Sequence, residues 1–233
     1  MSDALIGADG ARGEDNSLTL AEWPHLYRAG EPGHPVLLML HGTGDTEAGI
    51  APLAAHLDPQ AGVLAPRGRA LEGSTTRWFR RRGEGVFDVD DVIARAGELA
   101  AFITLARTEY GLEDAALIAV GFSNGANMGL ATALLHPHVV DRVVALCGMY
   151  PFADRDPIAD VAHVSILLVN GAADPMAPAA SVARLAEVAD QHGATVKRHI
   201  RAGGHGVDVD DIAAAKEWLA HARRDESTLE VGR

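Results

Sequence analysis

The apolar run Leu117-Ile118-Ala119-Val120 passes directly into Gly121-Phe122-Ser123-Asn124-Gly125 and then into Ala126-Asn127-Met128-Gly129-Leu130-Ala131, which reads as the start of a helix. A strand that turns sharply into a helix around a serine constrains the fold more than any other stretch of this chain. The two glycines have a physical job, because strand and helix approach too closely at such a turn for side chains to fit. Ser123 is left with its hydroxyl exposed above the sheet. A glycine-containing loop can match G-x-S-x-G by chance, so the reading depends on what else the chain supplies.

A nucleophilic serine needs a general base, an acid that orients the base, and donors for the oxyanion, and with this kind of turn the chain order is Ser, then Asp or Glu, then His. All three occur in that order. Val164-Ser165-Ile166-Leu167-Leu168-Val169-Asn170 reads as a buried strand and ends in Gly171-Ala172-Ala173-Asp174-Pro175, which puts Asp174 on the loop leaving it. The β-like stretch 195–200 runs into Arg201-Ala202-Gly203-Gly204-His205-Gly206, where glycines free the backbone to bring His205 inward. Asp154, Asp156 and Asp160 are alternative acids that follow the preceding strand. Asp208, Asp210 and Asp211 read instead as the acidic start of the last helix. His136 and His138, flanking Pro137, are a conceivable metal pair, but Asp174 and His205 are the expected partners of Ser123 and no metal is expected.

For the oxyanion, one amide should come from the residue after the nucleophile, Asn124, and one from the loop after an early core strand. Pro35-Val36-Leu37-Leu38-Met39-Leu40 is such a strand, and it ends in His41-Gly42-Thr43-Gly44. Thr43 is the expected donor, with Gly42 and Gly44 as alternatives. His41, at the strand end, is expected to hold this loop by a hydrogen bond rather than to act in catalysis.

Alternation organises the chain. Leu18 to Ala21 and His25 to Arg28 suggest an antiparallel start, and apolar runs follow near 36–40, 62–65, 116–120, 142–147, 164–170 and 195–200. Helical patterns at about 49–57, 90–109, 125–135, 178–191 and 208–222 separate most of them. This predicts an α/β fold with a mostly parallel central sheet and helices on both faces. The expected organisation is a flexible tail at 1–16, a single domain at 17–225, and a flexible tail at 226–233.

The balance of 20 basic against 32 acidic residues, a net charge of −12, argues against nucleic acid and anionic membrane as partners. The N-terminal residues lack a basic start followed by an apolar run, and no stretch reaches the length of a membrane span, so a cytoplasmic location is expected. The single cysteine, Cys147, lies in an apolar strand pattern and reads as a packing residue.

Taken together, these motifs resemble the α/β-hydrolase fold and, within it, the phospholipase/carboxylesterase family. The resemblance spans nearly the whole chain after the N-terminal tail. It is most specific for a bacterial subgroup associated with hydroquinone and quinone resistance, through His41-Gly42-Thr43-Gly44, Ala65-Pro66-Arg67-Gly68, Trp78-Phe79-Arg80-Arg81, Glu84-Gly85-Val86-Phe87-Asp88, the Ser123 motif and Gly204-His205. It implies a hydrolase of carboxylic esters that needs no cofactor, takes a small-molecule ester, works through Ser123, Asp174 and His205, and exists as a monomer or homodimer. The family's acyl-protein thioesterases carry an apolar residue at the place of Thr43 and a tryptophan-acidic pattern at the place of Trp78-Phe79-Arg80-Arg81. A small-molecule esterase therefore fits better than protein depalmitoylation. A thioesterase or lysophospholipase activity, or a non-catalytic binder of quinone-like molecules, are the alternatives.

The segment Trp78 to Arg82 follows the strand at 62–65 on a connection that can overhang the site. Trp78 and Phe79 are expected to wall an acyl or aromatic pocket, and Arg80 or Arg81 to hold an acidic or carbonyl-bearing part of the substrate. The competing expectation is that these arginines pair with Glu84, Asp88 and Asp90 to fix the loop. Met149, Tyr150, Met176 and Val207 follow strand ends on the same rim and complete the expected pocket, although each also fits ordinary core.

Overall fold

The computed structural model describes residues 19–83 and 85–230, with side chains through 221. Its centre is a seven-stranded sheet in the order β1-β3-β2-β8-β9-β10-β11. These strands are β1 (His25–Arg28), β2 (Val36–Leu40), β3 (Gly62–Pro66), β8 (Leu117–Phe122), β9 (Arg142–Leu146), β10 (Ser165–Gly171) and β11 (Thr195–Arg201). β1 pairs antiparallel with β3, and every other neighbouring pair is parallel. Parallel strands require crossover connections, and the helices supply them.

The central strands are continuously apolar because both faces are covered. Val36, Leu38 and Leu40 of β2 pack in one core with Ala119, Val143 and Leu168, whereas Leu37 and Met39 join Ile118, Val120, Val144 and Val169 in the other. The alternation follows from the two-residue period of a strand. The first core is closed by α3 (Val89–Tyr110), α4 (Asn124–Leu135) and α5 (Ala179–Gln191), and the second by α1 (Glu47–Ile50), α2 (Leu53–Leu57) and α6 (Val209–Glu230). In α3 the residues Val92, Ala96, Leu99, Phe102, Ile103 and Ala106 form the buried stripe, and Gly111 in the left-handed region ends the helix.

Several local expectations are corrected. The stretch at Leu20–Glu22 is a turn of 3-10 helix rather than a strand, because the Thr19 hydroxyl donates to Glu22 Oε2 (2.7 Å) and locks a helical start; Leu18 lies outside the described residues. The single helix expected at 49–57 is split into α1 and α2, with Pro52 at the break. The last helix continues to Glu230, beyond the expected end at 222, since neither Gly nor Pro interrupts the sequence before Gly232. The expected N-terminal tail lies outside the described residues. The connection after β3 holds two hairpins that the apolar pattern does not reveal: β4 (Ala70–Glu72) with β5 (Thr75–Arg77), and β6 (Arg81–Gly83) with β7 (Val86–Phe87).

Candidate active site

Ser123 sits between β8 and α4 at φ 52°, ψ −113°. A non-glycine residue held there stores about 1–3 kcal/mol of strain, so the surroundings must over-determine it. Its amide donates to the Leu146 carbonyl (2.8 Å) and its carbonyl accepts from Asn127 N (3.0 Å). A Cβ on Gly125 would land on the Leu40 carbonyl, and one on Gly121 would lie 2.5 Å from Ala126 N. The glycines of the motif are therefore fixed by the closeness of β2, β8 and α4.

Asp174 leaves β10 as the sequence predicts. Its Oδ1 accepts from Met176 N (2.8 Å) and Ala177 N (3.1 Å), and its Oδ2 lies 2.8 Å from His205 Nδ1. Burial pushes this carboxyl up, but the hydrogen bonds from His205, Met176 and Ala177 outweigh it and hold Asp174 below its ordinary value. His205 Nε2 is 2.9 Å from Ser123 Oγ. The three side chains thus form one hydrogen-bonded chain, with Asp174 buried at its inner end.

The loop carrying His205 is held by Arg201 at the end of β11. This guanidinium donates through Nε to Asp211 Oδ2 (2.6 Å), in the first turn of α6, and through its terminal nitrogens to the carbonyls of Ala202 (3.1 Å), Gly204 (3.1 Å) and Gly206. Asp208 Oδ1 accepts from the amides of Asp210 (3.0 Å) and Asp211 (3.1 Å), the helix-start role expected for it.

His41 is fully buried, and its Nε2 accepts from Gly68 N (2.9 Å). Its Nδ1 therefore carries the proton, which points to Gly42 O (2.7 Å). Burial lowers its pKa and keeps the ring neutral. This is the loop-holding role that its place at a strand end suggests.

Ser123, Thr43 and Asn124 line an open cleft of about 790 Å³ together with Met149, Tyr150 and Met176. Arg81, one of the two arginines expected to hold the substrate, also lines it, whereas the other expected wall residues lie elsewhere. Trp78 and Phe79 are buried in the core, Trp78 donating its indole NH to His41 O (2.9 Å) and Phe79 packing edge-on against Phe87 (5.0 Å). Arg80 points outward, pairing with Asp91 (3.3 Å) and Asp88 (3.7 Å), and Val207 is also outside the lining. The loop-fixing expectation for the arginines thus describes Arg80 and also Arg82, which meets Asp88 at 3.4 Å. Asp90 pairs instead with Arg155 (2.9 Å), and Glu84 lies outside the described residues.

Sequence reasoning missed Arg77, Phe87, Asn127, Ser181 and Arg184, which also line the cleft. Two of them are fixed by bonds that no pattern announces. Asn127 Oδ1 accepts from Met149 N (2.8 Å), and Ser181 Oγ accepts from Tyr150 N (3.2 Å).

Cys147 Sγ, an Asp174 oxygen and a His205 nitrogen lie within 4.8 Å of one another, a spacing a metal ion could bridge. The facing atoms of Asp174 and His205 are engaged with each other, however, and Sγ donates to Gly206 O (3.1 Å). Burial pushes the thiol up to about 11, so it is protonated at neutral pH. His136 and His138 stand with ring centroids 6.3 Å apart, edge to face.

A mostly parallel sheet covered on both faces, with a strained serine between a strand and a helix, is the α/β-hydrolase fold. The chain belongs to the phospholipase/carboxylesterase family, whose model matches residues 22–222. It is similar to MhqD of Bacillus subtilis (strain 168), named as a hydrolase, at 32% identity over 198 residues, covering 85% of this chain and 98% of that protein. Among solved structures it resembles the Bacillus cereus carboxylesterase, at 35% identity and a TM-score of 0.81, covering 87% of this chain and 95% of the other. A carboxylesterase from Mesorhizobium loti is similar at 33% identity and a TM-score of 0.77, over 85% of this chain and 98% of the other. Among the described residues no helix is long and apolar enough to cross a membrane.

Proposed function

We propose that this protein is a serine carboxylesterase that cleaves small carboxylic esters, with short-chain or aromatic acyl groups, through an acyl-enzyme. The observation that carries the reading is the chain of hydrogen bonds from Ser123 Oγ to His205 (2.9 Å) and from His205 to Asp174 (2.8 Å). His205 Nε2 takes the proton as Oγ attacks the ester carbonyl, and Asp174 stabilises the imidazolium that forms. The tetrahedral intermediate collapses as His205 returns the proton to the leaving alcohol. Water, activated in turn by His205, then releases the acid and restores Ser123.

Thr43 and Asn124 are the proposed oxyanion donors. Asn124 opens α4, where an amide has no acceptor within the helix and the dipole favours negative charge. On the β2 loop, Gly44 N is already given to Thr76 O (2.8 Å), which argues against Gly44, and Thr43 rather than Gly42 lines the cleft, which supports Thr43 as the donor. The volume of about 790 Å³ and the contributions of Phe87, Met149, Tyr150 and Met176 support a compact apolar or aromatic group.

Hydrolysis of p-nitrophenyl esters from acetate to palmitate tests the reading. The expected profile is fast at short chains and falls beyond them. A long-chain optimum would replace it with a lipase-type activity, and absence of turnover on every ester would refute it.

A further inference from the structure

The walls of the cleft carry charge of one sign. Arg77, Arg81 and Arg184 all line it, and among the described residues no acidic one does. That is the reverse of the molecule as a whole, in which 32 acidic residues outnumber 20 basic ones. Arg77 and Arg81 stand on the hairpin side and share a single carboxylate, Glu72, at 3.2 Å and 3.0 Å. Among the described residues, one positive charge is therefore left over there. Burial, together with the charge of Arg81, lowers the pKa of Arg77, as expected where two guanidiniums crowd one acid.

Arg184 lines the cleft from α5. Its guanidinium lies over the Tyr150 ring at 4.8 Å and has no carboxylate partner among the described residues. Nearby, α5 begins at the cleft with Pro178 as its cap. Pro178 gives no side-chain cap bond, and the first turn holds no acidic residue, so the positive end of the helix dipole adds to the same field. Asn124 supplies a further donor. Its Oδ1 is taken by Trp78 N (2.8 Å), while its buried Nδ2 has no partner among the described residues.

From this arrangement we infer that the substrate is an ester bearing a free carboxylate, which Arg184 receives in the same cleft as the Arg77–Arg81 pair while Ser123 attacks the ester carbonyl. The inference rests on the esterase reading and narrows its substrate class. A cleft lined by charge of one sign attracts the opposite charge from solution, and a guanidinium binds a carboxylate through two parallel hydrogen bonds. A neutral ester of the same shape lacks both contributions.

Two matched pairs test it: mono-(4-nitrophenyl) adipate against its terminal carboxamide for a charge on the acyl side, and 3-carboxyphenyl butyrate against 3-carbamoylphenyl butyrate for a charge on the alcohol side. In at least one pair the acid is expected to exceed the amide in kcat/KM by about tenfold at low ionic strength. Raising the salt to about 1 M, where the Debye length is about 3 Å, should shrink that ratio. Arg184→Gln should bring the ratio close to one, and Arg184→Lys should keep part of it. The ratio is internal to each variant, so a general loss of activity does not imitate the effect. Calorimetric binding of the same pairs to Ser123→Ala protein repeats the comparison without turnover. No hydrolysis with the anion preference retained in binding refutes the esterase reading and leaves the anion subsite standing. A ratio at or below one in both pairs, or one that survives Arg184→Gln, overturns the inference.

Discussion

Replacing Asp174 by asparagine changes one atom in the hydrogen-bonded chain and should disable it by reversing a proton. Asp174 Oδ1 is held by the amides of Met176 (2.8 Å) and Ala177 (3.1 Å), which only an oxygen can satisfy. The asparagine oxygen must therefore stay there, and the amide nitrogen takes the place of Oδ2, 2.8 Å from His205 Nδ1. That nitrogen can only donate, so Nδ1 gives up its proton and the ring carries it on Nε2, 2.9 Å from Ser123 Oγ. A protonated Nε2 cannot accept from the serine. The expected fall in kcat is on the order of 10⁴, or about 5 kcal/mol of barrier, with little change in shape.

The same substitution has a signature in stability. Because the folded carboxyl is held below its ordinary value, it contributes stability that is present above the unfolded value of about 3.9 and is lost as pH falls through the folded one. The wild type should exceed Asp174→Asn in unfolding free energy near pH 6, and the gap should close as pH drops below 4. p-Nitrophenyl acetate turnover, urea denaturation at several pH values, and ¹⁵N NMR of the His205 ring would follow the three consequences. A folded Asp174→Asn protein that keeps more than a tenth of wild-type kcat, or whose His205 still carries its proton on Nδ1, refutes the reasoning.

Other consequences are as direct. Gly125→Ala forces a methyl group onto the Leu40 carbonyl and should cost about 3 kcal/mol or more or prevent folding, whereas Gly73→Ala, at φ +62° with open space around it, should cost only about 1–2 kcal/mol; urea denaturation compares them. Arg201→Gln releases the clamp between Asp211 and the carbonyls of Gly204 and Gly206, and kcat for a neutral ester should fall at least tenfold with KM little changed. Equal loss in KM alone would make Arg201 a merely structural residue. Cys147, with its thiol pushed up to about 11, should react slowly with a disulfide reagent at pH 7.5, and Cys147→Ala should stay active.

The residues of the hydrogen-bonded chain were legible because each follows a strand at a glycine-bearing loop; the strands before Ser123 and Asp174 are buried apolar runs, whereas the one before His205 is a largely exposed edge strand read mainly from its glycines. Ser123, Asp174 and His205 leave β8, β10 and β11 in that way, and the parallel order of those strands brings the three loops to one edge. The cleft wall was less legible. Trp78 and Phe79 belong to a connection whose apolar residues could face either the cleft or the core, and His41 O and Phe87, distant in sequence, draw them inward. Arg184 lies on a helix whose buried stripe is Val182, Leu185 and Ala189, so its position reads as a solvated face until Tyr150 is seen beneath it. The hairpins between β3 and α3 are two or three residues per strand, too short for alternation to show.

The central claim is that Ser123 is the nucleophile. The measurement that reaches it most directly is mass spectrometry of the protein after treatment with a serine-directed organophosphonate, with esterase activity followed in the same tube. One adduct per chain, located on Ser123 and absent from Ser123→Ala, with turnover lost in step with labelling, is the predicted result. Labelling at another residue, or full esterase activity in Ser123→Ala, would contradict it.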